Sequence, residues 1–170
     1  TDPITFATNR IGWYAVQVNA NDIAVMGGTP RWMMATVLLP EKTSEAEVDS
    51  IFAQMNDACR AIGVTLIGGH TEVTYNLPRP IITGVMLGEV DKGKEIRSSG
   101  AREGDSIIMT KTIAIEGCAI LAAEAEDQLL KAGISDHYVQ AGKRLLGNMG
   151  ISIIKDAAIT LKSGKITAMH

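Results

Sequence analysis

Two cysteines in 170 residues, with no CxxC pair and no His/Cys ligand spacing, exclude a disulfide-built scaffold and a structural zinc site. Cys59 and Cys118 fall in helical patterns and read as reduced, buried thiols. His70, His137 and His170 stand far apart, again without metal-ligand spacing. No apolar run approaches the roughly eighteen residues of a membrane span, and the start at Thr1 lacks a basic-then-apolar signal pattern. The 16 Lys and Arg are scattered under a formal charge of -3, which leaves no basic footprint for nucleic acid or an anionic membrane. These absences describe a cytoplasmic protein with neither kind of partner.

Familiar catalytic signatures are missing too. The chain has no GxxxxGK[ST] phosphate loop, no GxGxxG turn, no HExxH and no GxSxG elbow, which disfavours Walker, Rossmann, zinc-protease and hydrolase chemistry. Its length allows a sizeable core in one domain or two small ones. With no initiator Met and a stop at His170 directly after a strand-like run, it reads as a piece of a longer protein.

What is present centres on the stretch from Val18 to Pro30. Residues from Ile11 to Met26 are mostly apolar, as in a helix buried on most sides. Gly27-Gly28-Thr29-Pro30 ends it, glycine supplying a left-handed cap and proline forbidding continuation. Asn19, Asn21 and Asp22 interrupt the apolar run. A buried carboxylate is costly unless partnered, so Asp22 calls for either a cation or a structural ion pair, for instance with Arg10. Asn19 and Asp22 are three apart and share a helix face.

The rest of the chain reads in order. Thr1–Phe6 is a strand with Asp2 at its start, and Trp32–Leu39 is a strand apolar on both faces. Ser44-Glu45-Ala46-Glu47 is a capping box. Val48, Ile51, Phe52, Met55, Cys59 and Ile62 follow at helical spacing until Gly63. A short strand Val64–Ile67 runs into a turn at Gly68-Gly69, and Ile81–Val90 is another strand. The order β-α-β-α-β-β predicts an α/β sandwich with helices on one face of a sheet. A break at Asp91-Lys92-Gly93-Lys94 divides a first domain, 1–90, from an incomplete second α+β domain, 91–170. That second part is predicted to hold a strand Ser106–Thr110, helices Glu116–Leu130, Ser135–Leu146 and Ser152–Leu161, and a terminal strand Lys165–Met169.

Three carboxylates, Asp2, Asp22 and Glu72, fall at or near the ends of core elements. Magnesium takes oxygen ligands and commonly bridges one or two carboxylates to phosphates, so the set suits a metal–nucleotide site. The plainer readings are a surface charge for Glu72, a hydrogen-bonding loop residue for His70, and a solvated strand-end cation rather than a phosphate contact for Lys111.

Taken together and in order, Val18–Gly28, Gly68-Gly69-His70-Thr71-Glu72 and Gly104–Lys111 resemble the aminoimidazole ribonucleotide synthetase-like superfamily. The run is most similar to its hydrogenase-maturation carbamoyl dehydratase branch. The resemblance implies an ATP- and Mg2+-dependent enzyme that phosphorylates a small substrate, or a carbamoyl or amide oxygen that can be protein-borne. It also implies a homodimer built by pairing first-domain sheets. Carried over, Asp2, Asp22 and Glu72 are the metal acids, and Asn21, Gly69, His70, Thr71, Thr110 and Lys111 meet the nucleotide. His70 stands where most members have an acid, with Glu72 the candidate substitute two residues on. The competing reading is a non-catalytic dimeric module that kept the fold and lost a metal ligand at His70.

Overall fold

The structure, a computed structural model, describes residues 9–170. Asp2 and the strand expected over Thr1–Phe6 lie outside the described residues. The element order is α1 (Ile11–Val25), β1 (Thr29–Pro40), α2 (Glu45–Ile62), β2 (Thr65–Thr74), β3 (Ile81–Glu89), α3 (Ile115–Glu124), α4 (Glu126–Lys131), α5 (Asp136–Asn148) and α6 (Ile154–Ser163). The α-β-α-β-β run over the first half is the predicted mixed α/β architecture.

Local chemistry explains the clearest element. Ser44 caps α2 by accepting from the Glu47 N–H, while the Glu47 carboxylate accepts from the Ser44 N–H at 2.8 Å. Gly63, at φ 71°, closes the helix in the left-handed conformation. Ile51, Met55, Ala58 and Cys59 form its buried stripe. α1 has no such stripe, because it is enclosed on several sides by α2, β3 and α6. Tyr14, Ala15, Val16 and Ala20 are fully buried in it. At its start, Gln54 Oε1 of α2 accepts from the Gly12 N–H at 3.1 Å, replacing a local cap.

The three strands form one sheet in the order β2-β1-β3. β1 and β2 are parallel, as the α2 crossover requires, and β1 and β3 are antiparallel. Met33, Ala35, Val37 and Leu39 of β1 face the helices and meet Ile82 and Met86 of β3 in the core. Two glycines let α1 approach β3: a Cβ on Gly84 would lie 2.6 Å from Asn19 Nδ2, and one on Gly88 2.4 Å from Ile23 Cγ2. Among the described residues, the opposite sheet face carries no helix. There Trp32 pairs with Leu87 and Met34 with Val85, and these four side chains are 40%, 48%, 41% and 50% exposed.

Four expectations change. Gly68-Gly69 is not a turn: both residues lie inside β2, each at φ 151°, beside a register shift between Met33 and Met34. A Cβ on Gly69 would fall 1.8 Å from the Ala35 carbonyl oxygen, so glycine is required by close backbone approach within the sheet. Ser106–Thr110 and Lys165–Met169 form no strands. A strand needs a ladder partner, none lies beside them among the described residues, and Ile107 is 99% exposed. The helix expected over Glu116–Leu130 breaks at Ala125 into α3 and α4. Cys59 is a buried free thiol as expected, but Cys118 is exposed.

The second part packs on the first through Ile115 and Ile151, which join the core cluster around α1. α3 packs against α5, where Gly142 sits close over Ala122.

Candidate functional site

Asn19, Asn21 and Asp22 occupy the C-terminal half of α1, and their side chains diverge. Asn19 donates from Nδ2 back to the Ala15 carbonyl at 2.7 Å and lies over Gly84. Asn21 reaches the linker between α5 and α6, donating to the Ile151 carbonyl at 2.9 Å and accepting from the Ile153 N–H at 3.0 Å. Asp22 is exposed. The expectation of a buried carboxylate is thus corrected: this position of α1 faces outward from the surfaces that α2, β3 and α6 cover. Arg10 does not pair with it and instead lies 4.6 Å over the Trp13 ring. Asp22 enters no hydrogen bond or ion pair among the described residues.

β2 divides its candidates between the two sheet faces. In register with β1, Gly69 lies opposite Ala35 and Thr71 opposite Val37, on the helix side. His70 lies opposite Thr36 and Glu72 opposite Leu38, on the uncovered side. The His70 Nε2 and a Glu72 carboxylate oxygen are 3.3 Å apart, and both side chains are exposed. Asp22 lies on α1, not on this strand face, and does not join them. Among the described residues no group of three or more His, Cys, Asp or Glu side chains could hold a metal ion. What the structure offers is therefore two separate oxygen donors, the unpartnered Asp22 and the His70-paired Glu72. A magnesium ion bound mainly by water and phosphate needs only one or two protein carboxylates, and each of these fits that limited role.

Lys111 lies in the irregular stretch before α3, with Thr110 exposed beside it. Its ammonium donates to the Ser152 carbonyl and, at 3.5 Å, to the Gly150 carbonyl, and it lies 3.6 Å from the Asp156 carboxylate. The lysine is tethered to the start of α6 rather than held out to solvent. Nothing in its local sequence signals that attachment, since the partners follow 39 and 41 residues later.

Elsewhere, a cleft of about 840 Å³ lies between the β1 and β3 ends and the end of α6, lined among others by Thr29, Arg31, Glu89, Lys94 and Lys165. None of the sequence-derived candidates among the described residues lines it. Two of its cations are already partnered, Arg31 by Glu89 at 2.8 Å and Lys94 by Asp91 at 2.7 Å. Ion pairing with Lys94 holds the Asp91 carboxyl below its ordinary range. Near the α1 N-terminus, burial pushes the Tyr14 phenol up to about 12, with the Glu116 carboxylate adding to the shift. Burial likewise raises Glu116. Sequence reading picked out neither group, because each is buried only by contacts between distant elements.

No helix among the described residues is long and apolar enough to cross a membrane. The sequence profile "AIR synthase related protein, N-terminal domain" matches residues 1–90. Thiamine-monophosphate kinase of Bacillus subtilis is 30% identical over 155 residues, covering 88% of this chain and 47% of that protein. The carbamoyl dehydratase HypE of Rhodobacter capsulatus is 33% identical over 126 residues, 73% of this chain and 37% of its own length. The crystal structure of hydrogenase maturation protein HypE in complex with ATP superposes with a TM-score of 0.63 at 26% identity, covering 68% of this chain and 35% of that one. The chain thus spans less than half the length of these relatives. The profile match over 1–90, on a sheet and helices that superpose on a solved member, assigns the chain to the AIR synthase related family.

Proposed function

We propose that this chain is part of a cytoplasmic, ATP- and magnesium-dependent enzyme that phosphorylates a small substrate or a carbamoyl or amide oxygen, and that it works as a homodimer. The observation that carries the reading is the similarity to HypE in complex with ATP, reinforced by the kinase relative that covers most of the chain. The division into a first domain to about residue 90 and a second beyond it belongs to the same reading.

The residues contribute in separate ways. Asp22 is exposed and has no partner among the described residues, so its carboxylate is available to a cation that brings its own phosphate and water ligands. Asp2 and Glu72 are the further acids in this reading. Gly69 and Thr71 lie on the helix side of β2, and in this reading the β2 backbone and the Thr71 hydroxyl meet the nucleotide there. Thr110 and Lys111 supply a hydroxyl and an ammonium from the second part. Bound magnesium and ATP supply the phosphoryl group and neutralise its charge, while these side chains orient the phosphates.

Dimerisation is supported by the uncovered sheet face. Trp32, Met34, Val85 and Leu87 form a contiguous apolar patch over two paired strands, which a second sheet of the same kind would bury. A non-catalytic dimeric module is the competing reading, favoured by the histidine at position 70 and by the lack of a three-ligand metal cluster among the described residues.

Calorimetry with Mg-ATP on the full-length protein separates the two. The enzyme reading expects binding that weakens at least tenfold in Asp22→Asn and disappears on chelation of magnesium. Binding that survives both changes removes the metal role of Asp22.

A further inference from the structure

Asn21 and Lys111, whatever part they take in nucleotide binding, also make a set of hydrogen bonds to the linker between α5 and α6 that the nucleotide reading does not account for. α5 ends at Asn148, Gly150 turns the chain at φ 64°, and α6 starts at Ile154. α6 has no side-chain cap of its own, and its N-cap residue is Ile153. The Ile153 N–H is instead satisfied by Asn21 Oδ1 at 3.0 Å, from a helix 132 residues earlier in the chain. The same amide donates to the Ile151 carbonyl at 2.9 Å. Lys111 then takes the carbonyls on either side, Gly150 and Ser152. Three consecutive linker carbonyls are therefore held by two side chains that come from different parts of the molecule. Ile151 is buried against α1 beside them, and the two Asn21 bonds are part-buried, where an unmade hydrogen bond is costly, while the Lys111 bonds are exposed.

We infer that Asn21 is a positioning residue that clasps the α5–α6 linker, so that the α1 turn bearing Asp22 and the first turn of α6 move as one unit. Only a side chain with both a donor and an acceptor at its tip can span Ile151 and Ile153 together. Lys111 is the second half of the clasp, and through Asp156 in the first turn of α6 it holds the same helix start by charge. This inference stands apart from nucleotide binding and holds whether or not Asp22 ever meets a metal.

Amide hydrogen exchange on the full-length protein, measured without nucleotide, tests it. Asn21→Ala is expected to speed exchange of the Ile153 amide and the first turn of α6 at least tenfold, while α2, which Asn21 does not touch, keeps its protection. Asn21→Asp keeps the acceptor for Ile153 and loses the donor to Ile151, so it is expected to fall between wild type and Asn21→Ala. That partial rescue separates a directed clasp from general loosening. Unchanged exchange at α6 in Asn21→Ala, or an equal rise across α2, overturns the inference. If Asn21→Ala does not fold, Asn21→Asp alone decides: selective acceleration at α6 supports the clasp, and none refutes it. Because nucleotide is absent throughout, a negative result here leaves the ATP reading untouched, and a failed ATP titration leaves the clasp untouched.

Discussion

Asn19 lies directly over Gly84, where a Cβ would come within 2.6 Å of its Nδ2 and 2.9 Å of Met33 Cε. This is how α1 settles on β3: one glycine of the strand makes room for one amide of the helix. Gly84→Ala is therefore expected to destabilise the fold by about 1–3 kcal/mol, the usual cost of overpacking a filled core. Urea unfolding measures it. Asn19→Ala in the Gly84→Ala background is expected to recover part of the loss, because the two side chains compete for one space. Equal losses for Gly84→Ala with and without Asn19 would show that Met33, not Asn19, sets the limit.

The uncovered sheet face gives a second prediction. Met34 is paired with Val85, half-exposed and outside the core cluster, so Met34→Lys is expected to leave unfolding of the single chain nearly unchanged. If two sheets pair across this face, the same variant shifts sedimentation of the full-length protein from dimer to monomer, since an unpaired ammonium would be buried against apolar side chains. Wild-type protein that sediments as a monomer at micromolar concentration defeats the dimer.

How much of this was legible follows from how local each signal is. The α2 boundaries are written in adjacent residues: Ser44 and Glu47 satisfy each other's N–H groups, and Gly63 takes the left-handed cap. Gly68-Gly69 misleads for the opposite reason. A glycine pair ordinarily signals a turn, yet here pairing to β1 draws both residues into the sheet, where the Ala35 carbonyl leaves no space for a Cβ. The exposure of Asp22 was hidden because α1 is apolar on almost every face, so its sequence does not show which side stays bare. The apolar Ser106–Thr110 run carries strand propensity without a ladder, a tertiary matter that no local pattern encodes. For Asn21 the resemblance implies a nucleotide contact, and its neighbours in the sequence say nothing of the linker bonds its amide makes. Its partners lie 130 and 132 residues away.

A third prediction concerns alkaline pH. Tyr14 is fully buried, and its phenol is pushed from an ordinary 10.0 up to about 12 by burial and by Glu116. Between these two values the unfolded chain has released the phenolic proton and the folded chain has not. Stability conferred by this group is therefore fully present below pH 10 and is lost as pH rises towards 12. Denaturant unfolding at pH 9 and at about pH 11 is expected to show a steeper decline for wild type than for Tyr14→Phe. Parallel declines would show that Tyr14 ionises like an exposed phenol.

The last prediction turns on competition for Lys111. Its ammonium is 3.6 Å from Asp156, and the two side chains are 21% and 26% exposed, so a phosphate approaching Lys111 must displace an existing, partly shielded pair. Pairs with substantial solvent access are typically worth about 0.2–1 kcal/mol, and 1.4 kcal/mol is tenfold in affinity. Asp156→Asn is therefore expected to tighten Mg-ATP binding by about two- to fivefold, and Lys111→Gln to weaken it and to abolish the effect of Asp156→Asn. Losing Asp156 also removes an acid from the first turn of α6, which costs about 0.3–1 kcal/mol of stability. Urea unfolding, run beside the calorimetry, separates that loss from the gain in affinity. If Asp156→Asn leaves ATP binding unchanged while Lys111→Gln weakens it, Lys111 meets phosphate without competition. If neither variant moves it, Lys111 belongs wholly to the linker it holds.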